Sequence, residues 1–422
     1  MTALVTTLSN GVRVVADPMP GLKTFALSVT VDGGSRWEDA RRAGWSHFLE
    51  HLVFKGAGDM DAREIVERVE REGGSVNAAT GHERTSFEVR GLAASLDMAL
   101  QVTADLVLRP TLDPVEIERE KDVVAQEIAE AFDTPDDHVF EMAQAMAFPD
   151  QPLGRPILGS VEALSPVGRD GIGDWRRGLY APERMVVAVS GAVDPDWLTA
   201  AVETRFGDAP AGETVSPPTP ARFEGGQAAL SRRIEQANLV FLVPACGTRD
   251  PRYPATRLLA EILGGGMASR LFQSAREELG LAYAIDAYFD AYAEVGLIGI
   301  YAGCAPDRAE ALAAVCAQEL RDLAERGPTP QELARAQAVQ AAGVLMSDES
   351  PTSRAGRAAA QTLLFGAPIP TEVSVARIRD QTIDTVRAAA AEALATGSAA
   401  SAVLGPKRSH GAGRVFPDRL RG

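Results

Sequence analysis

Cysteine and histidine are scarce in this 422-residue chain, and a long apolar run is missing. The three cysteines, Cys246, Cys304 and Cys316, are an odd number without the spacing of a metal site. They favour reduced, buried thiols and argue against a disulfide-stapled secreted scaffold. The N-terminus has neither the basic and apolar segments of a secretory signal nor the composition of an Arg-rich transit peptide. No apolar run approaches the roughly 20 residues that a membrane span needs. These absences predict a cytoplasmic protein without a membrane segment.

Positive charge is also in deficit. The chain has 42 Lys and Arg residues against 58 Asp and Glu residues, which gives a formal net charge of −16. This balance argues against nucleic acid as a partner and favours neutral or basic ligands through long-range steering. Solubility is an equally good explanation of the charge. Hydrophobic residues make up 45% of the chain and charged residues 24%, which is typical of a globular protein with sizeable cores.

The most informative stretch is AGWSHFLEHLVFKG, residues 43–56, in which His47, Glu50 and His51 form the pattern H-x-x-E-H. On a helix, Glu50 lies about 60° to one side of His47 and His51 about 40° to the other, so that the three share one face. Two imidazoles one turn apart are a natural pair of zinc ligands, and a neighbouring carboxylate can act as a base towards water. Apolar residues surround the three, so they should be buried and need partners. The pattern therefore favours a metal site over surface histidines.

A later helix contributes two inward-facing carboxylates. Asp113 to Glu116 has the pattern of a helix start, and the predicted helix runs to about Phe132. Glu120 and Glu127 fall on its apolar stripe, two turns apart. Inward carboxylates are costly without a cation or donors. A metal ligand with a second carboxylate behind it explains this placement better than ordinary surface glutamates do.

Strand and helix patterns recur after a Pro-rich segment in the middle of the chain. Two predicted helices, the motif helix and one in the second half, end at Gly56 and at Gly266. Aligning these two glycines places Arg257, Ala260 and Glu261 opposite His47, Glu50 and His51, in a weak repeat of about 210 residues. The second copy therefore lacks the metal-binding side chains. The mixture of elements in each half predicts an α+β fold with two similar domains.

We predict a zinc-binding catalytic domain at 1–210, a Pro-rich linker at 211–224 and a homologous domain without the zinc motif at 225–422. The linker composition is that of an extended segment. This organisation places every metal-binding side chain in the first half of the chain.

Together these residues resemble the zinc site of the pitrilysin or insulinase-type metallopeptidases, in which a glutamate follows the H-x-x-E-H motif at a distance. Glu127 stands 76 residues after His51. The short chain is similar to the mitochondrial processing peptidase β subunits and their bacterial relatives within that family. The resemblance implies that His47, His51 and Glu127 bind one Zn²⁺ per chain, that Glu50 is the catalytic base and that Glu120 supports the site from behind. It also implies two similar α+β domains that form half of a clamshell.

The same resemblance implies two sets of substrate-binding residues. Arg276 and Tyr283 match an Arg/Tyr pair seven residues apart in R-x-x-x-G-x-x-Y. A stretch similar to the family's peptide-binding edge strand consists of Asn77, Ala78, Ala79 and Thr80. The alternatives are a surface ion pair for Arg276, core packing for Tyr283 and an ordinary sheet edge for the strand.

The resemblance implies a zinc-dependent endopeptidase that hydrolyses extended or unfolded peptides inside a chamber. Two chains would close around that chamber, as a homodimer or as a heterodimer with a related subunit, and neither nucleic acid nor membrane is expected as a partner. Two other classes stay open: a non-catalytic structural subunit, and a peptide-binding chamber with vestigial chemistry. All five zinc-site residues are present, which favours the peptidase.

Overall fold

Strands and helices are interspersed along the computed structural model, which describes residues 3–212 and 215–421. The strands are β1 Leu4–Thr7, β2 Arg13–Pro18, β3 Thr24–Val31, β4 Gly56–Ala57, β5 Met60–Asp61, β6 Ser75–Thr80, β7 Thr85–Leu92, β8 Met185–Gly191, β9 Gly226–Ser231, β10 Ala237–Cys246, β11 Ala284–Ala291, β12 Val295–Cys304 and β13 Ala400–Gly405. The α-helices are α1 Trp45–Val53, α2 Ala62–Glu70, α3 Leu96–Leu108, α4 Pro114–Asp133, α5 Pro135–Ala147, α6 Val161–Leu164, α7 Arg169–Leu179, α8 Pro195–Phe206, α9 Tyr253–Gly264, α10 Ala309–Arg326, α11 Pro330–Asp348, α12 Pro351–Phe365, α13 Thr371–Arg379, α14 Ile383–Ala395 and α15 Ala412–Arg421. None of the described helices has the length and hydropathy that a bilayer-spanning segment requires.

The first sheet has six strands in the order β1-β2-β8-β3-β7-β6. Only β2 and β8 pair in parallel; the other neighbours are antiparallel. The inner strands β3 and β8 are buried along almost their whole length, as expected of apolar strands covered on both faces. Leu27 and Val29 share one hydrophobic core with Phe48 and Leu52 of α1. The sheet thus supports the motif helix on one face and ends in β6, a strand with one free edge.

The second sheet repeats the first with one strand fewer. Its order is β11-β12-β10-β13-β9, and β13 and β9 are its parallel pair. Matching β6, β7, β3, β8 and β2 to β11, β12, β10, β13 and β9 preserves both strand order and direction. The predicted α+β fold with two similar domains is therefore confirmed.

The two compact units do not follow the predicted boundaries. The first contains 1–129, 156–218 and 345–371, and the second contains 130–155, 219–344 and 372–422. Ala143 on α5 packs in a core with Val240 and Ala402 of the second sheet, and Ala359 on α12 packs with Val186 of the first sheet. Each half of the sequence thus contributes one helix, α5 or α12, to the core of the other half. For this reason the compact units are not the contiguous ranges 1–210 and 225–422.

Helix α12 is also held to the first sheet by buried charge. The Arg354 guanidinium donates to both carboxylate oxygens of Asp17, at 2.5 and 2.6 Å, and the Ser190 hydroxyl donates to Asp17 at 2.9 Å. Asp17 is buried. Hydrogen bonds from two donors offset the cost of burying this carboxylate.

Local predictions differ from the structure mainly at element ends. The motif helix ends at Val53 instead of reaching Gly56, which begins β4. Helix α4 ends at Asp133, one residue beyond the predicted end at Phe132, and α5 begins at Pro135. The described part of the predicted linker, 211–212 and 215–224, contains no helix or strand; its residues 213–214 lie outside the described part of the chain.

Candidate active site

Helix α1 begins at a glycine that a buried carboxylate holds in place. Gly44, the N-cap residue, has φ of 92°, and a Cβ there would lie 2.5 Å from the Leu158 carbonyl oxygen, so that only glycine fits without strain. The Glu38 carboxylate accepts from the Gly44 N–H at 2.8 Å and from the Ser46 N–H at 2.7 Å. A negative charge at a helix N-terminus is stabilising because it satisfies free N–H groups. This cap fixes the start of the helix that carries the motif.

The three predicted metal ligands meet at one point. His47, His51 and Glu127 each offer one ligand atom, and these atoms lie within 4.8 Å of one another. Glu127 Oε2 is 3.8 Å from His47 Nε2 and 3.5 Å from His51 Nε2. Ligands bound tetrahedrally to zinc at about 2.0–2.1 Å are separated by roughly 3.4 Å. Two imidazoles and a carboxylate with this spacing fit a zinc ion with only small adjustments.

The electrostatic state of His47 suits a ligand. Burial, and after it the charge of His51, lowers the pKa of His47 to about 4, so that the ring is neutral near pH 7. Metal ligation requires the neutral imidazole. His47 Nδ1 is buried and has no hydrogen-bond partner among the described residues.

Glu50 lies beside the three ligands with a free carboxylate oxygen. Burial raises the pKa of Glu50, and hydrogen bonds from the Thr80 side chain and backbone oppose that shift. Oε2 of Glu50 is buried and has no partner among the described residues. A buried, unsatisfied acceptor next to a metal site can accept a proton from water.

A second carboxylate supports His51 from behind. Glu120 is buried, and its Oε2 lies 3.1 Å from His51 Nδ1. Its Oε1 forms an ion pair with Lys55 Nζ at 2.7 Å. Such a carboxylate fixes the ring orientation and leaves Nε2 facing the metal. The contacts of Glu120 with Lys55 and with His51 therefore orient one candidate ligand.

Strand β6 borders this site. A cavity of about 300 Å³ is lined by Glu50 and His51 together with Val76, Asn77 and Ala78 of β6, and further by Phe54, Lys55 and Val66. The free edge of β6 therefore lies next to the candidate base and ligands. Thr80, predicted with the peptide-binding strand, hydrogen-bonds Glu50, while Asn77 and Ala79 are exposed.

Arg276 and Tyr283 belong to the second compact unit. Arg276 lies in a π-helix, Phe272–Glu278, with its guanidinium 4.7 Å from the centre of the Phe272 ring. Tyr283 is 64% exposed, which argues against core packing. A substrate role for either residue stays a prediction.

Two residues of the site escaped the sequence analysis. Lys55 stands four positions after His51, and that spacing could have suggested it as a partner for Glu120. Glu38 had no comparable signal, since its role depends on a turn that returns the chain to the start of α1.

Comparisons with known proteins show which family the chain resembles. The family model described as "Insulinase (Peptidase family M16)" matches residues 13–161, and that described as "Peptidase M16 inactive domain" matches residues 167–339. The zinc motif lies in the segment that the first model matches, and the inactive-domain model covers a segment without the motif.

Curated relatives span nearly the whole chain. An "Uncharacterized zinc protease" of Mycobacterium tuberculosis strain H37Rv is 35% identical over 99% of this chain and 95% of its own length. One from Rickettsia bellii is 34% identical, covering 96% of this chain and 98% of the relative. YmxG, a protein of Bacillus subtilis that carries the same description, is 33% identical over 85% and 88%.

Solved structures share the fold. A protease from Helicobacter pylori has a TM-score of 0.90 at 22% identity and covers 96% of this chain and 99% of its own. A peptidase M16 inactive domain from Pseudomonas fluorescens has a TM-score of 0.88 at 19% identity over 96% and 98%. The family models and the relatives' identities, together with the H-x-x-E-H site, establish that this chain belongs to the insulinase family of peptidases, M16.

Proposed function

We propose that this protein is a zinc-dependent endopeptidase that hydrolyses extended or unfolded peptides. The observation that carries the proposal is the convergence of His47, His51 and Glu127 beside the unsatisfied Glu50 carboxylate. The free edge of β6 at the same cavity supports an extended substrate, because main-chain pairing binds a peptide without requiring one sequence.

In the proposed mechanism His47, His51 and Glu127 hold one zinc ion. Zinc would supply a Lewis acid that polarises the scissile carbonyl and acidifies water. Glu50 accepts a proton from the attacking water at its carboxylate and returns it to the leaving amine. Glu120 keeps His51 oriented, and β6 aligns the peptide main chain. Thr80 of β6 lies beside Glu50, where its side chain and backbone favour the ionised carboxylate.

The first prediction separates chemistry from metal binding. Glu50→Gln preserves the side-chain shape and every ligand but removes the proton acceptor, so we expect about one zinc per chain and a loss of kcat of at least about 10³-fold. Zinc content is measured by elemental analysis, and turnover by mass spectrometry of a mixed peptide pool with and without a chelator. Near-normal turnover in this variant would remove Glu50 as the base. A wild-type protein that binds zinc but leaves every peptide intact would favour the non-catalytic subunit.

We further propose a homodimeric chamber, with Arg276 and Tyr283 as substrate-binding residues and with a heterodimer as the alternative assembly. The exposed phenol and guanidinium support a binding role, and the −16 charge supports basic peptides as preferred substrates. Three free cysteines support a reducing cytoplasm as the location.

A further inference from the structure

The two faces of the first sheet differ sharply in chemistry along β6 and β7. Phe87 and Val89 of β7, with Val76 and Ala78 of β6, face the core that contains α1. Side chains alternate across a strand, so Glu88 and the residues two positions away from it face the opposite side. This second face is the one covered in part by α12, and the candidate metal site does not include it.

Strand register places three side chains in one row on that second face. Glu88 pairs with Ser28 of β3 on one side and with Asn77 of β6 on the other. In the next row Arg90 pairs with Ala26 and Ser75. Asn77 and Ser75 belong to the edge strand, so a peptide paired with β6 would extend both rows by one residue.

A cavity of about 130 Å³ lies at these rows. Its lining includes Glu88, Arg90, the hydroxyl-bearing Ser28 and Ser75, and Thr352 of α12. Gly356 of α12 leaves room beside the carboxylate, since a Cβ there would lie 3.8 Å from Glu88 Oε1. The other lining residues are the apolar Ala26, Leu27, Val89 and Ala355, and Ser75 is the member that belongs to the edge strand.

The two charged side chains in this cavity, Arg90 and Glu88, differ in whether they have a hydrogen-bond partner among the described residues. The Arg90 guanidinium donates to Ser75 Oγ at 2.8 Å. Glu88 is half-buried, and no ion pair or side-chain hydrogen bond joins its carboxylate to another residue in the described part of the chain. A partly desolvated carboxylate without a cation attracts one from outside.

We infer that Glu88 forms a subsite for a Lys or Arg side chain of the peptide, at the position that pairs with Asn77. This inference rests on the proposed function. Neighbouring strands are about 4.8 Å apart, so a long basic side chain can cross β6 along the row and reach the carboxylate. A side chain two positions away meets Arg90, which disfavours a second basic residue. Neighbouring peptide residues point to the other face, towards Phe54 and Val76.

The test compares cleavage profiles of a random peptide library for the wild type and Glu88→Gln, both loaded with zinc. The wild type should enrich Lys or Arg at one fixed distance from the cleaved bond, and Glu88→Gln should lose that enrichment. Two matched peptides, with Lys or Gln at that position, then give a kcat/KM ratio. We expect Glu88→Gln to lower this ratio about fivefold or more, and Glu88→Lys to shift the preference to Asp or Glu.

Glu72→Gln is the matched control, because Glu72 is an exposed glutamate that lines neither cavity. It removes the same charge and should leave the wild-type ratio in place. A ratio that Glu88→Gln leaves unchanged, or that Glu72→Gln lowers equally, overturns the subsite while the endopeptidase stands. A wild type that cleaves nothing in the library overturns both proposals.

Discussion

At the scale of single residues, burial shifts the pKa values of two groups in the site. Burial lowers the pKa of His47 and raises that of Glu50, so the proposed ligand is held neutral and the proposed base becomes a stronger proton acceptor. Glu120 avoids the cost of burial because it forms an ion pair with Lys55 and lies within hydrogen-bond distance of His51 Nδ1. Glu127 is different, since its side chain is 38% exposed and its placement is explained best by a metal.

Glu127→Gln should therefore weaken zinc binding more than it affects folding. The amide keeps the size of the side chain but removes the charge that balances the cation, and we expect zinc affinity to fall on the order of 100-fold. Competition with a fluorescent zinc chelator measures the affinity. Glu130→Gln, an exposed glutamate one turn later on α4, is the control. Unchanged affinity in Glu127→Gln would exclude Glu127 as a ligand.

At the scale of elements, one short segment connects α1 to the hairpin that carries β6. The Ser35 N–H donates to the Gly81 carbonyl at 3.1 Å and the Arg36 N–H to the His82 carbonyl at 2.8 Å. Arg36 also pairs with Glu83 at 2.5 Å. Three residues after Ser35 along this segment, Glu38 caps α1. The position of β6 relative to the motif helix is thus fixed by hydrogen bonds as well as by the core.

His82 should make this hairpin sensitive to acid. Burial, followed by the positive charge of Arg36, lowers the pKa of His82 to about 4, and its Nδ1 lies 2.9 Å from Ser35 Oγ. Between pH 6.5 and 4 the unfolded chain binds a proton that the folded chain does not. The free energy of unfolding should therefore fall as the pH drops through this window, by up to about 3 kcal/mol from this residue.

Urea unfolding of the wild type and His82→Gln at several pH values measures the effect. The difference in unfolding free energy between the two proteins should shrink from pH 7 to pH 4, because only the wild type has this imidazole. A difference that is constant across the window would mean that His82 titrates alike in both states.

At the scale of the whole molecule, two units of the same topology differ in chemistry. The zinc-site residues all lie in the first unit, while the aligned residues Arg257, Ala260 and Glu261 of the second lack the metal-binding pattern. Arg257 is instead hydrogen-bonded to Gln340, which also donates to Glu261 at 2.9 Å. A second unit that kept its fold without a metal is consistent with a role in substrate binding.

Tyr283→Phe and Arg276→Ala test that role. If these side chains hold the peptide carbonyls in place, each variant should retain zinc and stability but lose about 100-fold in kcat/KM, since a donor aimed at developing charge is worth roughly 2–4 kcal/mol. Steady-state kinetics on one peptide, with zinc content and thermal unfolding as controls, gives the answer. Wild-type rates in both variants would leave the second unit without a demonstrated part in catalysis.

Much of the site could be predicted because its signals are local. Helical spacing places His47 beside His51, and it places Glu120 and Glu127 on one face, whatever the rest of the chain does. The convergence of α1 with α4 was predicted only from the cost of inward carboxylates and from the resemblance. Three residues were missed in the sequence analysis because the neighbours of each lie on a separate element: Lys55, Glu38 and Glu88.

The sequence by itself determined the mixture of strands and helices in each half, the repeat and the composition of the metal site, since these depend on periodicity and residue type. Tertiary structure decided which helix packs on which sheet. The local sequence pattern shows that α5 and α12 each have an apolar face, but it does not show which sheet covers that face. Only packing assigns α5 to the second sheet and α12 to the first. The row formed by Ser28, Glu88 and Asn77 likewise exists only through strand register, because hydrogen bonds between distant segments bring these three side chains together.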